Sequence, residues 1–189
     1  MIRSRQDYLI YLEADRVALN SNGSLRARLL DDVWKFQRVL RKLEYLSNCK
    51  RNPLLRVLTA YRYRRLGAKL GFTIPLNVFG PGLSIAHPGT IVVNDQASVG
   101  ANCRLHVCVN IGTQAGTIFD VPTIGDSCYI GPGAKIFGRI VVGDHTVIGA
   151  NAVVNRSFPE GHCTIAGVPA RKVSDKTSEG LLIEGYKRA

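Results

Sequence analysis

The chain has 189 residues, 46% of them hydrophobic and 21% charged, a globular composition that excludes a wholly disordered chain and a collagen-like one. Its 25 basic and 14 acidic side chains leave a net charge of +11, which by itself points to an anionic partner: nucleic acid, membrane surface or phosphorylated small molecule. No apolar run reaches the roughly 18 residues of a membrane span, the opening MIRSRQDYLIYLEADR mixes acids and bases unlike a signal peptide, and five scattered cysteines without a CxxC fit reduced thiols better than a disulfide framework.

The charge is not evenly spread. Residues 1–73 hold 16 basic and 6 acidic side chains, residues 74–159 hold 4 of each, and residues 160–189 hold 5 and 4. The basic part also has helical patterning, whereas the remainder is rich in Gly, Val and Ile. This composition shift sets a helical segment at 1–72, a second domain at 73–173 and a tail at 174–189 that includes the apolar stretch Leu181–Ile183.

About three helices are expected in the first segment. Ser4 with Asp7 forms a capping box ahead of Tyr8, Leu9, Leu12 and Arg16. After the breaker Asn20-Ser-Asn-Gly23, the residues Leu29, Val33, Phe36, Leu40 and Leu43 form one apolar stripe within 25–46. Asn52-Pro53 opens a helix that ends near Gly71. That helix carries Arg56, Arg62, Arg64, Arg65 and Lys69, interleaved with Tyr61 and Tyr63. Such a row is either a solvated face or a patch that meets an anionic acceptor or membrane surface.

From position 87 onward every sixth residue repeats a type. The series His87, Val93, Val99, Leu105 and Ile111 is followed by Ile124, Ile130, Ile136, Val142, Ile148 and Val154. Glycine often follows the aliphatic residue, and the fourth residue after it is often small or β-branched, as at Ala97, Cys103, Val109, Cys128, Ala134, Ile140, Thr146 and Ala152. The pattern predicts short strands and turns stacked as a solenoid, with every sixth side chain in a narrow core. Cys103 and Cys128 occupy small-residue positions and Cys108 lies next to one, so buried packing is their expected role. His87 breaks the series. On the residues alone it is either a core histidine satisfied by a carbonyl or, given Pro88-Gly89 after it, an imidazole turned out of the core.

The motif [LIV]-G-x-x-[STAV]-x resembles the hexapeptide-repeat family, and a closer resemblance is to serine acetyltransferases and the related capsule or exopolysaccharide O-acetyltransferases. It runs through LSIAHPGTIVVN (83–94), the repeats, the interruption at 112–123, IGPGAKIFG (130–138), IGANAVV (148–154) and IAGVPARKV (165–173). The resemblance implies a helical segment followed by a left-handed parallel β-helix that assembles as a homotrimer or a higher oligomer, with active sites between subunits. It also implies acetyl-CoA as co-substrate and His87 as catalytic base, an imidazole being suited to accept a hydroxyl proton near neutral pH. Mapped onto matching motifs, Gly112, Thr113, Pro132 and Ala150 would line the pantetheine arm, and Arg171 and Lys172 would meet the CoA phosphates.

One departure bears on the group that orients the base, which must then come from elsewhere in the fold or trimer or be a backbone carbonyl, and two bear on the acceptor. Serine acetyltransferases place an aspartate about fifteen residues before the histidine, where this chain reads Phe72-Thr73-Ile74, and another directly before it, where this chain has Ala86. Their Arg-His pair is absent from 112–122, where Asp120 is the sole charge. Unpaired burial of a zwitterion is costly, so a neutral hydroxyl, that of a surface-polysaccharide sugar or its precursor, is the expected acceptor. Serine, with cysteine biosynthesis as its context, is the alternative, and a non-catalytic trimeric scaffold or anion-binding module is the second. His106 is expected to face outward near His87, either touching the acceptor or serving as exposed polar filler, while His145 and His162 are expected at the surface. The four histidines, spaced 19, 39 and 17 apart, lack the close pair of a zinc enzyme, so no metal is expected. No nucleic-acid motif accompanies the charge; the expected location is cytoplasmic, peripheral to the inner membrane face through the basic helices.

Overall fold

The computed structural model describes residues 1–187, so the last two residues of the tail lie outside the described residues. Four helices come first: α1 (Arg5–Ala18), α2 (Leu25–Leu30), α3 (Asp32–Asn48) and α4 (Pro53–Leu70). Local chemistry sets their ends. Ser4 caps α1 by accepting from the Asp7 amide, Asn52 caps α4 ahead of Pro53, and Gly71 closes α4 in the left-handed region at φ 77°. The single stripe expected over 25–46 is broken. Asp31 leaves the helical region and accepts from the Trp34 amide at 2.9 Å, starting a new helix. Leu29 is consequently 59% exposed, whereas Val33, Phe36, Leu40 and Leu43 are buried.

Short strands follow in three sheets. The first holds β1 (Phe72–Thr73), β3 (Ile91–Val93), β6 (Val109–Gly112), β9 (Lys135–Phe137) and β12 (Val153–Val154). The second holds β4 (Ser98–Val99), β7 (Thr123–Ile124) and β10 (Val141–Val142). The third holds β2 (Ser84–Ile85), β5 (Arg104–Leu105), β8 (Tyr129–Ile130), β11 (Val147–Ile148), β13 (Thr164–Gly167) and β14 (Ala170–Ser174). From β2 to β12 the chain visits the third, first and second sheets in unchanging rotation. All pairs are parallel except β13 with β14.

Register explains the six-residue series. Val93 pairs with Ile111, Ile124 with Val142, Ile130 with Ile148 and Ile136 with Val154, each partner eighteen residues on, or three hexapeptides per turn of chain. All ten aliphatic positions are buried. Partners that span the interruption, such as Leu105 with Ile130, are twenty-five apart, so seven extra residues project there. Cys103 and Cys128 are buried as expected; Cys108 is not, because it sits exposed in a left-handed turn at φ 61°. The tail packs along one row of turns. Glu184 accepts from Ser127 Oγ at 2.6 Å, and Tyr186 exchanges backbone hydrogen bonds with the Asn102 side chain.

Helices and sheets meet through a buried ion cluster. Arg41, Asp15 and Glu44 are 0%, 0% and 2% exposed. Arg41 donates to both Asp15 oxygens, to Glu44 at 3.1 Å and to the carbonyls of Phe79 and Gly80. Asp15 in turn accepts from the Gly82 and Leu83 amides, both at 2.9 Å. Burial pushes the Asp15 carboxyl up, against the pull of Arg41. Burial opposes the Arg41 charge as well, yet its two acids hold its pKa above the ordinary value.

Arg41→Met leaves two acids buried without their cation and is expected to cost about 3–5 kcal/mol in urea unfolding. Lys69→Ala, which removes an exposed pair with Asp32, is expected to leave the midpoint near wild type.

Candidate active site

His87 is not a rung of the core. Ile85 pairs with Leu105 and Ile91 with Val109, so six residues here span what four span in the next turn of chain. Ile85 takes the core position, and the two additional residues push Ala86–Thr90 outward, leaving His87 exposed. The series of sixes read from the sequence therefore included His87 by coincidence of count.

The turn is held on several sides. The Ala86 amide donates to Leu105 O at 2.9 Å, and Gly89 donates to Leu70 O at 3.0 Å, seating the turn on the end of α4. On the open edge of β2, Gln37 stands in for a neighbouring strand. Its Nε2 donates to Leu83 O at 2.7 Å, and its Oε1 accepts from the Ile85 amide at 3.3 Å.

Beside the turn lies a cavity of about 410 Å³ lined by Ile85, Ala86 and Pro88 and, from the helices, by Asp31, Asp32 and Val33. Asp31 and Asp32 thus bring two carboxylates to the wall beside the Ala86–Thr90 turn, where the neighbouring sequence has none. They were not visible there because α3 delivers them from more than fifty residues upstream; the Asp31-Asp32 pair at a helix start was the available signal. The two differ. Hydrogen bonds from Lys69 and Lys35 hold the Asp32 carboxyl down to about 2. Asp31 uses Oδ1 to cap α3.

His106 lies one turn of chain on, its ring centroid 6.4 Å from that of His87 and 4.9 Å from that of Tyr129. Its Nε2 is buried without a hydrogen-bond partner among the described residues. Burial lowers its pKa below the ordinary histidine value, and Arg104 and His87 act in the same direction. A neutral imidazole next to His87 can accept from a hydroxyl or donate to an oxygen without adding charge.

The remaining candidates divide. Pro132 and Ala150 lie in stacked turns between the third and first sheets, where the Asn151 amide donates to Pro132 O at 2.8 Å. His87 and His106 belong to the same row. Gly112 and Thr113 do not; Gly112 ends β6 and Thr113 follows it, at the next corner, where the first sheet passes to the second. Arg171 and Lys172 lie on β14, both exposed, with Lys172 in an ion pair with Asp175 at 2.6 Å. Asp120 is paired with Arg139 at 3.0 Å. His145 and His162 stack on each other at 4.9 Å in left-handed turns, the first half-buried and the second exposed. Among the described residues no group of three potential ligands gathers to hold a metal.

Residues 122–156 match the family model for the bacterial transferase hexapeptide (six repeats). The serine acetyltransferase of Synechococcus elongatus is 35% identical over 97 residues, covering 50% of this chain and 38% of that protein. That of Salmonella typhimurium is 39% identical over 109 residues, covering 55% and 40%. The chain thus spans about two-fifths of the length of these relatives. The crystal structure of the Brucella abortus serine acetyltransferase in complex with coenzyme A superposes with a TM-score of 0.72 at 27% identity, over 91% of this chain and 70% of that one. The soybean apoenzyme gives 0.71 at 27%, over 89% and 68%. The chain is similar to serine acetyltransferases in sequence and in fold. The likeness extends over the helical segment, which the sequence resemblance matched more loosely than the repeats.

The lowered pKa of His106 has a measurable consequence. Its ring protons are expected to titrate below 6.5 in a pH series of NMR spectra. Because the unfolded chain takes up that proton more readily, stability is expected to fall as pH drops through about 6.5. A midpoint at or above 6.5 contradicts the desolvated placement.

Proposed function

We propose that the protein is an acetyl-CoA-dependent O-acetyltransferase in which His87 is the general base. The observation that carries this reading is the lengthened turn, which sets an imidazole outside the core, beside a cavity with two acids, at the head of the row of turns that contains Pro132 and Ala150. The name and the coenzyme A complex of the Brucella relative support acetyl-CoA as co-substrate. In the reaction, neutral His87 takes the proton of the acceptor hydroxyl as its oxygen attacks the thioester carbonyl. The C–O bond forms, the C–S bond breaks, and the proton passes to the departing thiolate of CoA. Gln37, the Leu70 carbonyl and the Leu105 carbonyl keep the turn in place for this transfer.

Serine is the acceptor the relatives support, ahead of the polysaccharide sugar expected from the sequence. That expectation rested on the missing acid directly before His87 and on the missing Arg-His pair; Asp31, on the wall of the cavity beside the turn, supports a carboxylate for a substrate ammonium. One observation favours the neutral sugar hydroxyl as a second reading: the projecting segment 113–121 contains no cation for a substrate carboxylate.

Assembly follows from the split among the cofactor candidates. Gly112 and Thr113 occupy a different corner from Pro132 and Ala150, so a groove lined by all four needs two subunits, and we read the protein as a trimer of left-handed β-helices. The outer face of α4 supports a peripheral position at a membrane. Leu54, Val57, Leu58 and Tyr61 follow the spacing of one helical stripe and are 69%, 61%, 53% and 62% exposed; Arg51, Arg62, Arg64 and Arg65 flank them, the composition of an interfacial helix on anionic lipid.

Two measurements test these assignments. CoA release with L-serine and with a panel of sugars is expected to favour serine, and His87→Ala is expected to lower turnover by about 10²–10⁴; full activity in that variant removes the mechanism, and a better rate with a sugar selects the second reading. In flotation assays the chain is expected to rise with phosphatidylglycerol vesicles but not with phosphatidylcholine alone, and Leu54→Ser with Leu58→Ser is expected to abolish this. If that double variant instead changes the mass seen by light scattering, the stripe is a subunit contact.

A further inference from the structure

Acetyl transfer at the turn makes no use of most of the positive charge carried by residues 1–73. Much of that charge converges on a second cavity, of about 550 Å³, enclosed by α1, α3 and α4 alone. Its walls hold five basic residues, Arg16, Lys35, Arg38, Lys42 and Arg62, against one acid, Glu13. Glu13 is taken by Arg16, with Nε at 2.8 Å, and Lys35 pairs at 2.9 Å with Asp32, outside this cavity. Lys42 and Arg62 enter no ion pair among the described residues.

The arrangement is unfavourable for an empty surface. Lys35, Arg38 and Lys42 follow one another at three and four residues along α3, the spacing at which like charges on a helix repel. Arg62 adds a further cation from α4. A second polar group has no protein partner: Trp34 lines the same cavity, is 2% exposed, and its Nε1–H is buried without an acceptor among the described residues. A buried donor left unsatisfied is costly, and an anion with several acceptor oxygens would meet the cations around it.

We propose that this cavity binds the phosphate or diphosphate group of a small molecule, at a site separate from the acetyl-transfer turn. The volume lies in the range of small-ligand clefts. A carboxylate would bring one charge to a wall of five basic residues and one acid, two of the basic residues being already paired. A diphosphate spreads more charge over more oxygens and suits a mixture of arginine forks and lysine point charges. Bound there, it relieves the repulsion along α3 and ties α1, α3 and α4 together. Because α3 also delivers Asp31 and Gln37 to the His87 turn, occupancy bears on the position of the site without altering its chemistry.

Trp34 is the single tryptophan and so reports on its own cavity. Titration of the full chain with sodium pyrophosphate at low ionic strength is expected to give a saturable change in tryptophan fluorescence, matched in calorimetry at one site per chain and weakened by salt. Lys42→Gln with Arg62→Gln is expected to weaken binding about tenfold or more; if the pair folds poorly, Lys42→Gln alone serves at a smaller loss. Trp34→Phe, followed by calorimetry, is expected to weaken it as well. Arg171→Gln with Lys172→Gln is expected to leave it unchanged, which separates the cavity from any CoA phosphate contact. Tighter binding of uridine diphosphate than of pyrophosphate marks the occupant as a nucleotide, and equal binding marks it as the diphosphate group alone. The proposal is overturned if pyrophosphate does not bind saturably, if the Lys42 and Arg62 variants bind it like wild type, or if the Arg171 and Lys172 variant loses it. None of these readouts depends on acetyl transfer.

Discussion

The Arg41 guanidinium, buried with Asp15 and Glu44, is the joint between the two halves of the molecule. Residues 79–83 pair with Val99 and Asn102 on one side, and on the other Arg41 donates to the carbonyls of Phe79 and Gly80 while Asp15 accepts from the amides of Gly82 and Leu83. Backbone groups buried in that position must find partners, and on this second side the partners are side chains from α1 and α3. Gln37 continues the same device one strand further, pairing the open edge of β2 as a strand would. The turn carrying His87 begins directly after β2 ends at Ile85, so the position of His87 is inherited from the helices through this run of hydrogen bonds.

The site thereby combines two kinds of precision. The sheets stack at fixed register and hold Pro132, Ala150 and His106 in a row, because each turn of chain can only repeat the one before it. The helical segment supplies what repetition cannot, namely Asp31 at the cavity wall and the seat for Gly89 at the end of α4. A side chain turned out of a repeating scaffold has to depart from the repeat, and for His87 two extra residues at 86–90 are that departure. Their cost in lost stacking is offset by the helices packed against them.

Charge tells a parallel story. The repeats are electrically balanced, and the excess sits on helices whose outward faces and inner cavity are both basic. The membrane contact proposed for α4 and the anion site proposed between α1, α3 and α4 draw on different residues for the most part, with Arg62 near both. Nucleic acid, raised by the overall balance, has no groove-reading element to support it.

Much was legible from one dimension. The ten aliphatic positions from Val93 to Val154 announced the parallel stack, and Ser4, Asn52 and Gly71 announced helix ends, because helix caps and repeats are written in neighbouring residues. What one dimension did not carry was the comparison of one turn of chain with the next: His87 looked like a core position until Ile85 was found opposite Leu105, and nothing in the motifs showed that Gly112 and Pro132 lie at different corners. Asp31 was out of reach for the same reason, since only packing of α3 against the sheets brings it to Ala86 and Pro88. The sequence alone determined the period and the chemistry of each position. Tertiary structure decided which positions face one another, because register and helix docking depend on contacts between residues far apart in the chain.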